Sequence, residues 1–228
     1  MKKYDLCIQL LLDKLDNSNS FLVMGIDEAG RGPVIGPLVM CGLVTNADTI
    51  IDMLKADLRD SKELTPTKRE KLYMYILSLP ALILIVEAWP PVIDQWISSG
   101  RNLNELEAFM ASQIIEHAHA RYGKIKYIFI DAPSTPKSFL NHLSKFITIP
   151  NLQIIAEEKA DKNRPIVSAA SIVAKHIRDK RIKEISKIVG YDIGSGYPSD
   201  PKTRKILEKM IATHPEFVRR SWKTVKNI

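Results

Sequence analysis

Two adjacent carboxylates, Asp27 and Glu28, come directly after an apolar segment over residues 21–26. Charges at the end of a buried strand are costly unless something compensates them. A hard divalent cation provides that compensation, because such cations take oxygen ligands. The pair therefore predicts a site for a divalent cation. A tight β-turn that carries a solvated Asp-Glu pair explains this stretch about equally well when it is taken alone.

A glycine-rich turn, Gly30, Arg31 and Gly32, follows the two carboxylates. Glycines leave backbone N–H groups uncovered, and a guanidinium forms paired hydrogen bonds with phosphate. The turn is therefore predicted to hold a phosphate and its sugar beside the cation. Residues 30–36 do not have the spacing of a Walker loop, which makes a nucleotide kinase or phosphatase a remote interpretation.

Two further aspartates, Asp131 and Asp161, follow predicted strands at 126–130 and 152–156. Ligand sites in open α/β sheets gather at the carboxyl ends of strands, and the first and fourth strands are candidates for neighbours. Each aspartate alone is better explained as a helix cap or turn residue. Together with Asp27 and Glu28 they favour a site in which two divalent cations neutralise four carboxylates. Such cation pairs hydrolyse phosphodiesters.

Overall charge and cysteine usage narrow the function classes. The chain has 33 Lys+Arg against 26 Asp+Glu, a net charge of +7, which favours a polyanionic partner. Its two cysteines, Cys7 and Cys41, have no metal-ligand spacing, so zinc sites and disulfide frameworks are not expected. No signal peptide or bilayer-spanning stretch is predicted. We expect a cytoplasmic protein with no membrane partner.

Hydrophobic periodicity predicts an α/β fold with a five-stranded mixed sheet flanked by helices, plus a helical C-terminal cap. Residues 1–20 are expected to form an N-terminal extension with a helix at 4–16, residues 21–190 a catalytic domain, and residues 191–228 the cap that completes a substrate groove. The predicted strands are 21–27, 37–44, 82–87, 126–130 and 152–156. The predicted helices are 49–56, 66–79, 92–98, 103–122, 137–146, 165–189, 202–212 and 215–224.

Six motifs, in order, resemble type 2 ribonuclease H (ribonuclease HII) in its single-chain archaeal form. They are MGIDEAGRGPVIGPLV, DSKEL, IDAPS, EEKAD, PIVSAASIVAKHIRD and GSGYPSDP. They span residues 24–201, and the first motif and VSAASIVAK are highly specific as a set. The resemblance implies a ribonuclease H-like fold and hydrolysis of the RNA strand of RNA–DNA hybrids with Mg²⁺ or Mn²⁺. It also implies incision 5′ of single ribonucleotides embedded in duplex DNA, leaving 3′-hydroxyl and 5′-phosphate ends.

The resemblance also implies roles for individual residues. The catalytic, metal-binding carboxylates are Asp27, Glu28, Asp131 and Asp161. The turn at Gly30, Arg31 and Gly32 senses the ribose 2′-hydroxyl and holds the scissile phosphate, and Tyr197 recognises the ribonucleotide and its junction with DNA. Further substrate contacts are expected from Lys62, Ser168 and Ser171. Without the resemblance, Tyr197 reads as an ordinary tyrosine and Lys62 as a solvated lysine.

Two other interpretations remain open. Another carboxylate-metal nuclease or transferase of the same fold is disfavoured by the Gly-Arg-Gly turn directly after Asp-Glu. A non-catalytic RNA–DNA hybrid-binding protein needs no converging carboxylates. We expect the nuclease to be a monomer. The C-terminal residues VKNI match no obvious sliding-clamp motif, and a contact with the replication clamp stays unassigned.

Two positions outside the predicted site are also interpreted. Asp179 lies well inside a helix and is interpreted as a structural ion-pair residue. Arg164 occupies a position where the family often has tyrosine, and we assign it no function.

Overall fold

The computed structural model describes residues 21–56 and 65–228. The helix expected at 4–16, the rest of the extension at 1–20, and Lys62 lie outside the described residues. Within the described part of the chain, no helix is both long enough and apolar enough to cross a bilayer.

A mixed sheet of five strands forms the centre of the fold, as predicted. The strands are β1 Leu22–Ala29, β2 Leu38–Asn46, β3 Leu82–Ala88, β4 Ile125–Asp131 and β5 Ile154–Glu157, in the spatial order β3-β2-β1-β4-β5. The hairpin β1–β2 and the pair β2–β3 are antiparallel, whereas β1–β4 and β4–β5 are parallel. Because β1 and β4 are parallel neighbours, their carboxyl ends meet at one edge, as the position of the aspartates predicted.

Helices cover both faces of the sheet and form the C-terminal region. Local signals set several of their ends: Asn102 and Glu105 form a capping box, and Gly123 and Gly190 end helices in the left-handed conformation, with φ of 67° and 79°. The helices are α1 Ala47–Lys55, α2 Pro66–Ser78, α3 Pro90–Ser98, α4 Leu103–Tyr122, α5 Pro136–Leu143, α6 Ala160–Asn163, α7 Pro165–Val189, α8 Pro201–Thr213 and α9 Lys223–Lys226, with a 3₁₀ turn at Pro215–Phe217.

The two faces of β1 pack on different helices. Val23 belongs to the apolar cluster that contains the start of α7, whereas Met24 and Ile26 belong to the cluster that contains α4. A Cβ at Gly25 would lie 2.6 Å from the carbonyl carbon of Ile166, so the backbones of β1 and α7 are in direct contact. This close approach explains the small residues at the start of α7 and brings that helix beside the carboxyl end of β1.

The helix predicted at 215–224 is wrong. The chain forms the 3₁₀ turn, then an extended residue, Val218, that pairs with Ile35, and only then the short α9. The backbone N–H of Arg219 donates to the carbonyl of Val34 at 2.8 Å. This long-range pairing with the segment after the glycine-rich turn replaces the local helical bonds that the sequence pattern favoured.

Candidate metal centre and substrate pocket

Three carboxylates converge at the carboxyl edge of the parallel strands. Asp27 of β1, Asp131 of β4 and Asp161 of α6 each offer an oxygen, and these oxygens all lie within 4.8 Å of one another. The backbone N–H of Ala160 donates to the Asp131 carboxylate at 2.9 Å. That bond ties α6 to the end of β4, and so it places Asp161 opposite the other two carboxylates.

The electrostatics of Asp27 fit a cation site. The residue is 4% exposed, and burial raises the pKa of its carboxyl well above the usual value, with further increases from Glu28 and Asp131. The hydroxyl of Ser171 and the backbone N–H of Glu28 donate to Asp27 and act in the opposite direction. An all-oxygen set of crowded carboxylates is the donor set that Mg²⁺ or Mn²⁺ prefers. The residues present therefore fit a divalent cation.

Glu28 differs from the other predicted carboxylates because it is not part of the three-oxygen cluster. Since β1 continues to Ala29, successive side chains alternate between faces, and Glu28 emerges towards α4. Burial, followed by the charges of Glu107 and Asp131, raises the pKa of the Glu28 carboxyl to about 8. The Glu28 side chain nevertheless forms a hydrogen bond with that of Asp27 and lines the same pocket as Asp27 and Asp131, and its metal-binding role stays a prediction.

The glycine-rich turn and Tyr197 open onto the same cavity as Asp27, Glu28 and Asp131. This cavity, of about 360 Å³, is also lined by Arg69, Lys175 and Ser171. A Cβ at Gly32 would lie 3.5 Å from the Tyr197 ring, so the turn and the tyrosine are neighbours. The structure thus brings together the predicted groups Asp27, Glu28, Asp131, Gly30, Arg31, Gly32, Ser171 and Tyr197. Ser168 is 2% exposed and is not among the described lining residues, so its substrate contact stays a prediction.

A buried arginine from the C-terminal region holds the turn. The guanidinium of Arg219, which is 0% exposed, donates to the carbonyls of Gly30 at 2.6 Å, Arg31 at 2.9 Å and Gly36 at 3.0 Å. Gly30 has φ +90°, and a Cβ there would lie 2.6 Å from the carbonyl oxygen of Pro37. The turn therefore requires glycine at position 30, and it requires the Arg219 guanidinium as a hydrogen-bond donor to its carbonyls.

The loop that carries Tyr197 is bonded to the same segment. The carbonyl of Gly196 accepts from the backbone N–H groups of Val34 at 2.8 Å and Ile35 at 3.2 Å. The guanidinium of Arg178, which is 1% exposed, donates to the carbonyl of Ser195 and lies 5.0 Å from the centre of the Tyr197 ring. The tyrosine ring is thus fixed relative to the turn by backbone bonds and by a buried cation.

Two residues of α4, Glu107 and Asn104, contact Arg31, and the sequence interpretation missed them. The Arg31 guanidinium donates to the Glu107 carboxylate and to Asn104 Oδ1, the latter at 2.7 Å. Glu107 is 0% exposed, and burial raises the pKa of its carboxyl to about 7. One signal was present: Glu107 falls four residues after Leu103 and three before Met110, on the apolar stripe of α4. An acid on such a stripe is expected to be buried with a partner.

The remaining two interpretations concern Asp179 and Arg164. Asp179 accepts from Arg69 at 3.1 Å, Lys175 at 2.7 Å and Arg178 at 3.2 Å, which confirms a structural ion-pair residue. Arg164 donates twice to Glu157, at 2.9 and 2.6 Å. Since Glu157 is the residue paired with Asp131 in the sheet, Arg164 supports the strand end that carries this carboxylate.

The chain is similar to known nucleases over most of its length. A family model described as Ribonuclease HII matches residues 24–225. The Ribonuclease HII of Methanococcus maripaludis (strain C6) is 42% identical over 221 residues, which cover 95% of this chain and 91% of that protein.

Two solved structures are similar in fold. The ribonuclease H2 of Pyrococcus horikoshii is 37% identical with a TM-score of 0.75, and the match covers 90% of this chain and 96% of that one. The RNase HII in the PCNA:RNase HII complex of Archaeoglobus fulgidus is 34% identical with a TM-score of 0.77, and the match covers 90% and 95% of the two chains.

Proposed function

The chain belongs to the ribonuclease HII family, and from that premise we propose that it incises duplex DNA 5′ of single embedded ribonucleotides as well as cutting hybrids. As a family member it is a metal-dependent endoribonuclease that acts on RNA–DNA hybrids. One observation carries the finer proposal: Asp27 and Asp131, two of the three converging carboxylates, share one pocket with the Gly-Arg-Gly turn and Tyr197. Cation ligands beside groups that can read a sugar favour a substrate chosen by its 2′-hydroxyl.

Asp27, Asp131 and Asp161 are proposed to hold the metal, Mg²⁺ or Mn²⁺, with Glu28 as a further ligand from the same pocket. Two bound divalent ions would supply activation of the attacking water and stabilisation of the leaving oxygen, giving 3′-hydroxyl and 5′-phosphate ends. A carboxyl has to be deprotonated to bind a cation, and burial raises the pKa of Asp27 and Glu28, which favours their protonated forms when no cation is present. Metal binding is therefore accompanied by proton release from the site.

The turn and the tyrosine are proposed to choose the nucleotide. A ribonucleotide differs from its deoxy neighbour only in the 2′-hydroxyl, which has to be read through short hydrogen bonds. Gly30 and Gly32 allow the backbone to approach the sugar, and Arg31 supplies a guanidinium for the scissile phosphate. The ring of Tyr197, adjacent to Gly32, provides a flat surface against which the sugar packs.

Cleavage of three matched duplexes tests this function. With Mg²⁺ or Mn²⁺ we expect one cut 5′ of a single embedded ribonucleotide, several cuts in the RNA strand of a full hybrid, and none in pure DNA. A DNA-directed carboxylate-metal nuclease of the same fold would also cut the pure DNA. A non-catalytic hybrid-binding protein would bind the hybrid and leave it intact. Either result contradicts the proposal.

Replacing Tyr197 by alanine is expected to affect the two substrates unequally. Without the ring, kcat/KM on the single-ribonucleotide duplex should fall by about 10- to 100-fold, as for the loss of a stacking contact of about 1–3 kcal/mol. The continuous hybrid presents many ribonucleotides and should lose much less. Tyr122→Ala, at an exposed tyrosine, is the control. Equal losses on both substrates would argue against a role of Tyr197 in recognising the junction.

Glu107 is proposed to position Arg31, and a double-mutant cycle tests this. Glu107→Gln should lower kcat/KM about 10-fold, because a neutral amide replaces the charged partner of the guanidinium. In an Arg31→Ala background, the same substitution should cost less than about 2-fold. Glu116→Gln, on the same helix, is the matched control. Losses that simply add would show that Glu107 acts on stability and not through Arg31.

Nucleic acid is the partner that family membership supports. A monomeric state and a cytoplasmic location remain predictions, and sedimentation velocity tests the first. The contact with PCNA is a property of the Archaeoglobus fulgidus protein, and a clamp contact of this chain stays unassigned.

A further inference from the structure

A second groove, of about 680 Å³, adjoins the substrate pocket. It runs along the middle of α7 between α2 and the loop that carries Tyr197. Arg69, Lys175 and Tyr197 line both the groove and the pocket. A strand that enters the pocket can therefore continue directly into the groove.

The groove carries an excess of positive charge. Its lining contains five cations, against Glu70 and Asp179 as the only acids among the described lining residues. Asp179 already accepts from three of those cations, and Arg178 is buried beneath Tyr197. The unneutralised charge lies on Lys180 and Lys183, which are exposed and form no ion pair with the described residues. The five cations are Arg69, Lys175, Arg178, Lys180 and Lys183.

The spacing of the lysines suits a polymer rather than a small anion. Lys180 and Lys183 are three residues apart on α7 and so point to the same side of the helix. At 1.5 Å per residue, Lys175 and Lys183 are separated by about 12 Å along the helix axis. That distance spans about three to four nucleotides of a strand that carries one phosphate per 3.4 Å of axis.

The wall of the groove is held in place by contacts between α2 and α7. The rings of Tyr73 and His176 stack with centroids 3.7 Å apart, and His176 Nδ1 lies 3.1 Å from a Glu70 carboxylate oxygen. Arg69 of α2 is bonded to Asp179 of α7. The cations are therefore presented by two helices that are already docked, which lowers the entropic cost of binding.

We propose that this groove binds the sugar-phosphate backbone of the substrate duplex beyond the cleavage site, through Lys180 and Lys183. The inference rests on the proposed function, because it assumes a nucleic-acid strand in the adjoining pocket. The groove increases affinity without reading bases, since phosphate contacts position a duplex but carry no sequence information.

Salt-dependent binding of an RNA–DNA hybrid tests the proposal. Fluorescence anisotropy is measured with the full chain in the absence of divalent metal, so that no cleavage occurs. In Lys180→Ala/Lys183→Ala, the slope of log Kd against log salt should fall by about 2, because two fewer counterions are released. The Kd at moderate salt should rise about 10-fold or more. The matched control, Arg121→Ala/Lys124→Ala, removes two exposed charges, one in the last turn of α4 and one just before β4, and should change neither quantity.

Four outcomes would overturn the proposal, and they are distinguishable. An unchanged slope and Kd in the groove variant, with normal binding by the wild type, rejects the groove and leaves the proposed function intact. Equal effects in the control variant mean that overall charge, not the groove, determines affinity. If the groove variant binds polyglutamate, used as a second probe, more weakly than the wild type does but binds the hybrid equally well, the groove is a site for an acidic protein. A wild-type chain that neither binds nor cuts hybrids rejects the proposed function itself.

Discussion

Replacing Asp27 by asparagine is expected to lower metal-dependent cleavage by roughly 10³-fold or more, while binding of the hybrid survives. Asp27 contributes one of the three converging oxygens, and the charges of both Glu28 and Asp131 raise the pKa of its carboxyl. Asparagine keeps the shape of the side chain but removes the charge that attracts the cation. Single-turnover cleavage with Mg²⁺ measures the loss, and anisotropy measures the retained binding.

Asp27→Asn is also expected to change how thermal stability responds to metal. Because burial and neighbouring charges raise the pKa of Asp27, its charged form is unfavourable in the folded, metal-free protein. Without metal, the unfolding temperature of Asp27→Asn should therefore equal or exceed that of the wild type. Mn²⁺ should raise the unfolding temperature of the wild type but not that of Asp27→Asn. Asp52→Asn, at an exposed position of α1, is the control. Full activity of Asp27→Asn would contradict the site assignment.

Replacing Arg219 by methionine is expected to remove both stability and activity. The substitution leaves three carbonyls of the turn segment without their donor, at Gly30, Arg31 and Gly36. Each unsatisfied buried group costs about 1–3 kcal/mol, so the free energy of unfolding should fall by about 3–5 kcal/mol. A turn that is no longer held should lower kcat/KM by about 100-fold, since small displacements of positioning groups have effects of this size.

The neighbouring arginine provides the control for this prediction. Arg220→Met changes the same residue type one position later, where the side chain is exposed, and should have little effect on either quantity. Activity is measured well below the unfolding temperature of each variant, so that lost activity is not simply lost fold. Arg219→Lys should be intermediate in stability, because a single ammonium cannot reach all three carbonyls as the planar guanidinium does. A wild-type kcat/KM in Arg219→Met would show that the turn does not depend on the C-terminal region.

The sequence predicted those parts of the molecule that depend on local pattern. Strand-end aspartates in parallel strands predicted that Asp27 and Asp131 would meet, and the structure brings them together. Proline at the start and glycine at the end defined α7 as Pro165–Val189, and the capping box at Asn102 defined the start of α4.

What the sequence did not predict depends on contacts between distant segments. Arg219 and Glu107 bond to the turn across 189 and 76 residues, and no periodicity reports such partners. The helix at 215–224 was wrong for the same reason, since the pairing of Val218 with Ile35 competes with helical propensity.

Two duplexes that differ in a single 2′-hydroxyl group test the proposed reaction most directly. One contains a single ribonucleotide and the other the corresponding deoxynucleotide, and both are incubated with the enzyme and Mg²⁺. We predict a single cut on the 5′ side of the ribonucleotide, which then carries the new 5′-phosphate opposite a 3′-hydroxyl, and no cut in the deoxy duplex. Equal cutting of both duplexes, or a cut on the 3′ side that leaves a 2′,3′-cyclic phosphate, would contradict the proposed reaction.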